Sequence, residues 1–146
     1  MTRIDFYVLT GVEPHDRRLT ACRLAEKAYR LGHRVYVQTD SAQADVIMDE
    51  LLWTFRHNSF VPHARWQSSE NADVPVLLGH DAAPDFLADV LINLSERIPD
   101  GFDRFDRLVE IVDQDEATRA AGRRRYRFYR ERGLTPVTHR LDAVEG

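Results

Sequence analysis

Apolar positions fall along this chain in two alternating rhythms. Short runs rich in β-branched and aromatic residues read as buried strands: Arg3–Leu9 (RIDFYVL), Arg34–Gln38 (RVYVQ), Val74–Leu78 (VPVLL), Val90–Leu94 (VLINL) and Arg107–Val112 (RLVEIV). Pro75 marks the third as an edge strand or as a strand start. Between the runs lie helical patterns. Arg17–Leu31 offers Leu19, Cys22, Leu24, Ala25, Ala28 and Leu31 as its buried side and stops at Gly32. Ser41–Trp53 starts at an Asp40 or Ser41 cap and carries Val46, Met48, Leu51 and Leu52. Ala117–Arg132 follows Asp113 and Asp115 as candidate caps and stops at Gly133. Five strands alternating with about three helices predict a single three-layer α/β domain, doubly wound in the Rossmann manner on a mostly parallel sheet. The domain is expected to span residues 1–137, with 138–146 as a polar, mobile C-terminal tail.

Composition narrows the class. A chain of 146 residues, 43% of them hydrophobic, suits one compact core. No apolar run approaches the roughly 20 residues that span a bilayer. Arg3 and Asp5 interrupt the start, so no signal peptide is read there, and the single Cys22 excludes an intrachain disulfide. A cytoplasmic protein is expected. The acidic balance, with a pI near 5.8, argues against wholesale wrapping of nucleic acid.

Charge changes the picture at one place. Ala117–Arg132 (ATRAAGRRRYRFYRER) holds seven arginines against one glutamate, a local +6, while the whole chain carries −4 and the remainder therefore −10. At about 100° per residue, Arg119, Arg123, Tyr126, Arg127 and Arg130 share one face. Ala117, Ala121 and Phe128 lie opposite as the core side, with Tyr129 flanking. An ordinary exposed face mixes signs so that neighbours four apart assist one another. Like charges gathered on one face fit a docking site for an anionic partner, with planar forks for carboxylates or phosphates and a ring to cover an apolar group.

Tests for catalysis fail. The loop after the first strand, Leu9–Asp16 (LTGVEPHD), has one glycine and two acids where a dinucleotide site needs G-x-G-x-x-G. There is no P-loop and no G-x-S-x-G elbow. The six histidines show no H-x-x-x-H spacing, and His57 and His63 share a loop without an acid between them. Cys22 reads as a small core residue rather than a nucleophile. No cofactor, metal or catalytic residue is expected. Trp53 and Phe60 flank charged and polar residues at an expected helix end. They are either core rings or anchors of an exposed docking patch.

Several segments in register carry a resemblance: Phe6-Tyr7-Val8-Leu9, Gly32-His33-Arg34-Val35, Leu52-Trp53 leading to Ser59-Phe60-Val61-Pro62-His63, Leu91-Ile92-Asn93-Leu94, and Arg123-Arg124-Arg125-Tyr126-Arg127-Phe128-Tyr129-Arg130 before Gly133. In this order they resemble the chi subunit of bacterial DNA polymerase III holoenzyme over nearly the whole chain. The resemblance implies a non-enzymatic linker with a Rossmann-like fold and no working nucleotide site. It implies two partners: the acidic C-terminal tail of single-stranded-DNA-binding protein, which ends in phenylalanine, and the psi subunit of the clamp loader. The family's tail-binding residues fall on Val112, Arg119, Arg123, Tyr126 and Arg127. Relatives carry lysine where this chain has Arg119 and Arg127, which keeps the charge and alters the fork geometry. The psi-facing pair falls on Trp53 and Phe60, a surface some relatives use for an XPD-like helicase. The rival readings are a domain that binds nucleic acid directly through the arginine helix, and a small Rossmann-type enzyme.

Overall fold

The structure, a computed structural model, describes residues 1–58, 60–66 and 73–141. Seven strands, β1 Arg3–Leu9, β2 Val35–Gln38, β3 His63–Arg65, β4 Val76–Gly79, β5 Val90–Asn93, β6 Arg107–Val112 and β7 Val137–Leu141, form one sheet in the order β3-β4-β2-β5-β6-β1-β7. Every pairing in it is parallel. Three helices, α1 Pro14–Arg30, α2 Ala42–Thr54 and α3 Glu116–Glu131, cover its faces.

Parallel sheets bury both faces, and the central strands here are mostly apolar for that reason, with Gln38, Asn93 and Glu110 as buried polar exceptions. Ala21, Cys22 and Ala25 of α1 and Met48 and Leu52 of α2 pack on one face against Val37, Ile92 and Val109. On the other face, Tyr129 of α3 packs with Phe6, Leu91, Leu108 and Phe105. This is the expected three-layer arrangement. Cys22 lies wholly inside, its thiol pushed up to about 12 by burial and by Glu26, which suits a packing role.

The helix signals operate as local chemistry requires. Ser41 Oγ accepts from the Ala44 amide at 3.1 Å and Asp115 Oδ2 from the Thr118 amide at 3.1 Å, each satisfying a first-turn donor. Gly133, at φ +81°, ends α3 in the left-handed conformation, and the Leu134 amide returns to the Tyr129 carbonyl.

Three expectations need correction. Residues 138–141 are not a mobile tail: they belong to β7, which pairs with β1 from Asp5↔Val137 to Leu9↔Leu141. The segment alternates Val137, His139 and Leu141 with Thr138 and Arg140, and the polar side chains masked its period of two. Residues 142–146 lie outside the described residues. Second, β3 lies inside a segment expected to be loop and pairs along β4, so of the two readings of Pro75 the strand start holds, with β4 beginning at the next residue. Third, Ala117 is exposed and Phe128 half-buried, while Ala121, Gly122, Arg125 and Tyr129 form the buried face of α3.

Candidate docking surfaces

An arginine is the least expected member of a helix's buried face, and Arg125 explains how α3 is held. Its Nε donates to Glu110 Oε1 at 3.0 Å, and both side chains are out of water. Tyr129 Oη donates to Glu110 Oε2 at 2.6 Å, and Asn93 Nδ2 to Glu110 Oε1 at 3.0 Å. Ser95 Oγ donates to Asn93 Oδ1 at 2.6 Å, and Arg125 Nη1 to the Glu96 carbonyl at 3.1 Å. Burial pushes the Glu110 carboxyl up, and Arg125, Tyr129 and Asn93 pull against it. Burial and Glu110 push the Tyr129 phenol up, so it remains a donor. A buried polar network of this kind is tolerated only when its members are satisfied, and its geometry fixes the rotation of α3 over β6.

Gly122 sets the approach distance. A Cβ there would meet Val112 Cγ1 at 2.7 Å. The helix touches the sheet at this point because the residue has no side chain, which is what its cost to helix propensity secures.

With α3 rotated and seated in this way, a cavity of about 220 Å³ opens between it and the β6-β1-β7 edge of the sheet. Its floor is apolar: Val112, Val8 and Phe6, with the Tyr126 ring, which meets Phe6 edge-on at 5.3 Å. Arg119 and Arg123 reach it from α3, Thr138 and Arg140 from β7. Asp113, its one acidic lining residue, is turned to the backbone, its Oδ1 accepting from the Asp115 amide at 3.0 Å. Three guanidiniums against one carboxylate leave the lining positive around an apolar floor.

Four of the five residues expected on this surface, Val112, Arg119, Arg123 and Tyr126, therefore line one cavity. Arg127 does not. It lies with Arg124, Phe128 and Glu131 along a neighbouring groove. Phe6, Val8, Thr138 and Arg140 were absent from the sequence-based set. Only strand pairing brings them to α3, and no spacing along the chain reports that.

The second surface lies at the opposite edge. Trp53, at the end of α2, is 51% exposed, and Phe60 is 63% exposed. Their ring centroids are 5.5 Å apart, and the Trp53 ring lies 4.4 Å from that of His63 on β3. His63 is buried, with Nδ1 2.6 Å from the Val61 carbonyl and Nε2 2.9 Å from that of Asp49. The choice left open by the sequence is thus resolved: both rings stand in solvent as a contiguous aromatic patch. Large exposed rings in contact are unusual on a surface without a partner.

A sequence model described as DNA polymerase III chi subunit, HolC, matches residues 1–137. The chain belongs to the DNA polymerase III chi subunit family. It is 43% identical over 145 residues to the DNA polymerase III subunit chi of Pseudomonas aeruginosa, covering 99% of this chain and 100% of the relative. It is 30% identical over 138 residues to that of Haemophilus influenzae, covering 94% and 96%. With the Escherichia coli subunit the identity is 27% over 114 residues, covering 77% and 78%. Chi is an accessory subunit of the replicative polymerase, which agrees with the chi resemblance read from the sequence. Among the described residues no helix is long and apolar enough to cross a membrane.

Proposed function

We propose that this chi-family chain is a non-catalytic linker of the replisome, working inside the cell, that joins single-stranded-DNA-binding protein to the clamp loader. The α3–β7 cavity receives the acidic C-terminal tail of single-stranded-DNA-binding protein, and the Trp53–Phe60 patch receives the psi subunit. An XPD-like helicase is the second candidate for that patch.

One observation carries the tail reading: an apolar floor shares one cavity with guanidiniums that have no ion pair among the described residues. The energetics require both parts. Micromolar binding corresponds to about −8 kcal/mol. Exposed ion pairs contribute roughly 0.2–1 kcal/mol each. Burying a phenylalanine ring adds about 1.5–3 kcal/mol. Two or three surface pairs alone therefore fall short. A ring on Val8, Val112 and Tyr126 with its α-carboxylate under Arg119 or Arg123 combines the two contributions. Arg127, on the neighbouring groove, contributes to the field rather than to the ring pocket.

The test is a titration with a fluorescent peptide, acidic and ending in Pro-Phe. Saturable binding is expected, weakened by salt and lost with Arg123→Ala or on deletion of the final Phe. Equal binding of the truncated peptide would exclude the ring pocket. The rival, direct nucleic-acid binding through α3, predicts a steep salt slope with oligonucleotides alone. The −10 carried by the rest of the chain opposes it.

A further inference from the structure

We infer that Arg140 of β7 is a third binding arginine of the α3–β7 cavity, engaging an acidic side chain of the tail upstream of its terminal phenylalanine. This rests on the tail reading of the cavity given above.

The placement follows from strand register. Val112 pairs with Val8, and Val8 with Arg140. Register partners on neighbouring strands share a face, so the three form one row across β6, β1 and β7. Val112 and Phe6 belong to the core on the α3 side of the sheet, and Val8 packs against that core, which puts Arg140 on the same side. The next row below pairs Phe6 with Thr138. The floor thus grades from apolar under α3 to cationic and hydroxylic at β7.

Arg140 is exposed and has no hydrogen bond or ion pair among the described residues, although it lines the cavity with Arg119 and Arg123. Two strand spacings separate its row position from Val112, about 9.6 Å. A phenylalanine ring fills that interval, so a carboxylate attached to the ring's own residue and held by α3 leaves Arg140 for a different anionic group. A ligand touching all three arginines carries at least two negative charges and one ring, which is the chemistry of an acidic peptide with an aromatic C-terminus. The strand that sequence reading assigned to a mobile tail then becomes a wall of the site.

The experiment uses the full chain and two labelled peptides ending in Pro-Phe, one with aspartates before it and one with those aspartates replaced by asparagines. Arg140→Ala is expected to weaken the aspartate peptide about two- to fivefold, the range of one exposed ion pair. Arg140→Glu weakens it further, and Arg140→Lys retains most of the affinity. With the asparagine peptide, Arg140→Ala is expected to bind as the parent does. Equal losses with both peptides would show a structural effect of the substitution and overturn the contact. Unchanged binding in Arg140→Ala and Arg140→Glu, with Arg123→Ala still defective, would overturn the role of Arg140 and leave the tail reading standing. No binding of either peptide by the parent chain overturns both.

Discussion

At the scale of the residue, the basic helix is governed by two positions that bear no functional charge to the surface. Gly122 lets α3 touch Val112, and Arg125 anchors it through Glu110. Seven arginines look alike in a helical wheel, yet one of them is spent inward because a buried carboxylate on β6 faces it. Removing one partner of a buried pair leaves the other uncompensated and costs about 3–5 kcal/mol. Arg125→Ala is expected to lose stability in that range, read from the denaturant midpoint at pH 7.5. Its pH dependence has a definite sign. Burial already raises the Glu110 carboxyl, and deleting Arg125 removes the strongest opposing charge. A carboxyl raised in the folded state takes up a proton on folding, so the folded state gains as pH falls. The deficit of Arg125→Ala relative to the parent should therefore shrink between pH 7.5 and pH 5. A deficit independent of pH would mean that lost packing, not the stranded carboxylate, dominates.

At the scale of the element, β7 is the part whose attachment needs explanation, because its side chains are mostly polar and exposed. Its ladder with β1 is reinforced from inside the sheet. Asp5 is buried, and His139 Nε2 lies 2.8 Å from its Oδ1, while Arg107 Nε donates to its Oδ2 at 2.9 Å and Arg3 pairs with the same oxygen at 3.1 Å. The His139 ring also stacks on Tyr7 at 4.7 Å. Burial alone raises the Asp5 carboxyl, but His139, Arg107 and Arg3 together outweigh it and hold the group below its ordinary value. A depressed carboxyl contributes stability that is present above the unfolded value, about 3.9, and is lost as pH falls through the folded one. The clamp is thus complete at neutral pH and fails only in acid. Asp5→Asn imposes the uncharged state at neutral pH. It should lower hydrogen-exchange protection of the Val137–Leu141 amides relative to those of β5 and β6. Unchanged protection would assign the docking of β7 to its backbone ladder alone.

At the scale of the whole molecule, the sheet acts as a spacer. The aromatic patch lies beside β3 and the basic cavity beside β7, at the two ends of the strand order. Six strand spacings separate those edges, roughly 29 Å. The patch rides on α2 in one helical layer, and the cavity opens under α3 in the other. For the linker role proposed above, such a separation lets two partners be held at once. Accordingly, saturating the cavity with the acidic peptide should leave the affinity for psi unchanged, and Trp53→Ala should abolish psi binding while sparing the peptide. Competition between peptide and psi would contradict the two-surface arrangement. Added salt should weaken the peptide complex more than the psi complex, because screening acts on the exposed guanidiniums and not on apolar ring contacts.

The α/β class, a cap at Asp40 or Ser41 and another at Asp113 or Asp115, the Gly133 stop and the arginine face of α3 were legible along the linear chain, as was the chi resemblance in its ordered segments. These are local or periodic properties: hydrophobic period, turn chemistry and charge count are readable within a dozen residues. The contacts made across the sheet were settled by folding alone. Arg125 turns inward because Glu110 and Asn93 lie on adjacent strands. Thr138 and Arg140 join the cavity because β7 pairs with β1, more than 130 residues away along the chain. Trp53 and Phe60 share a patch because β3 folds back beside α2. Burial and proximity of this kind depend on which strands are neighbours, and linear spacing carries no record of it.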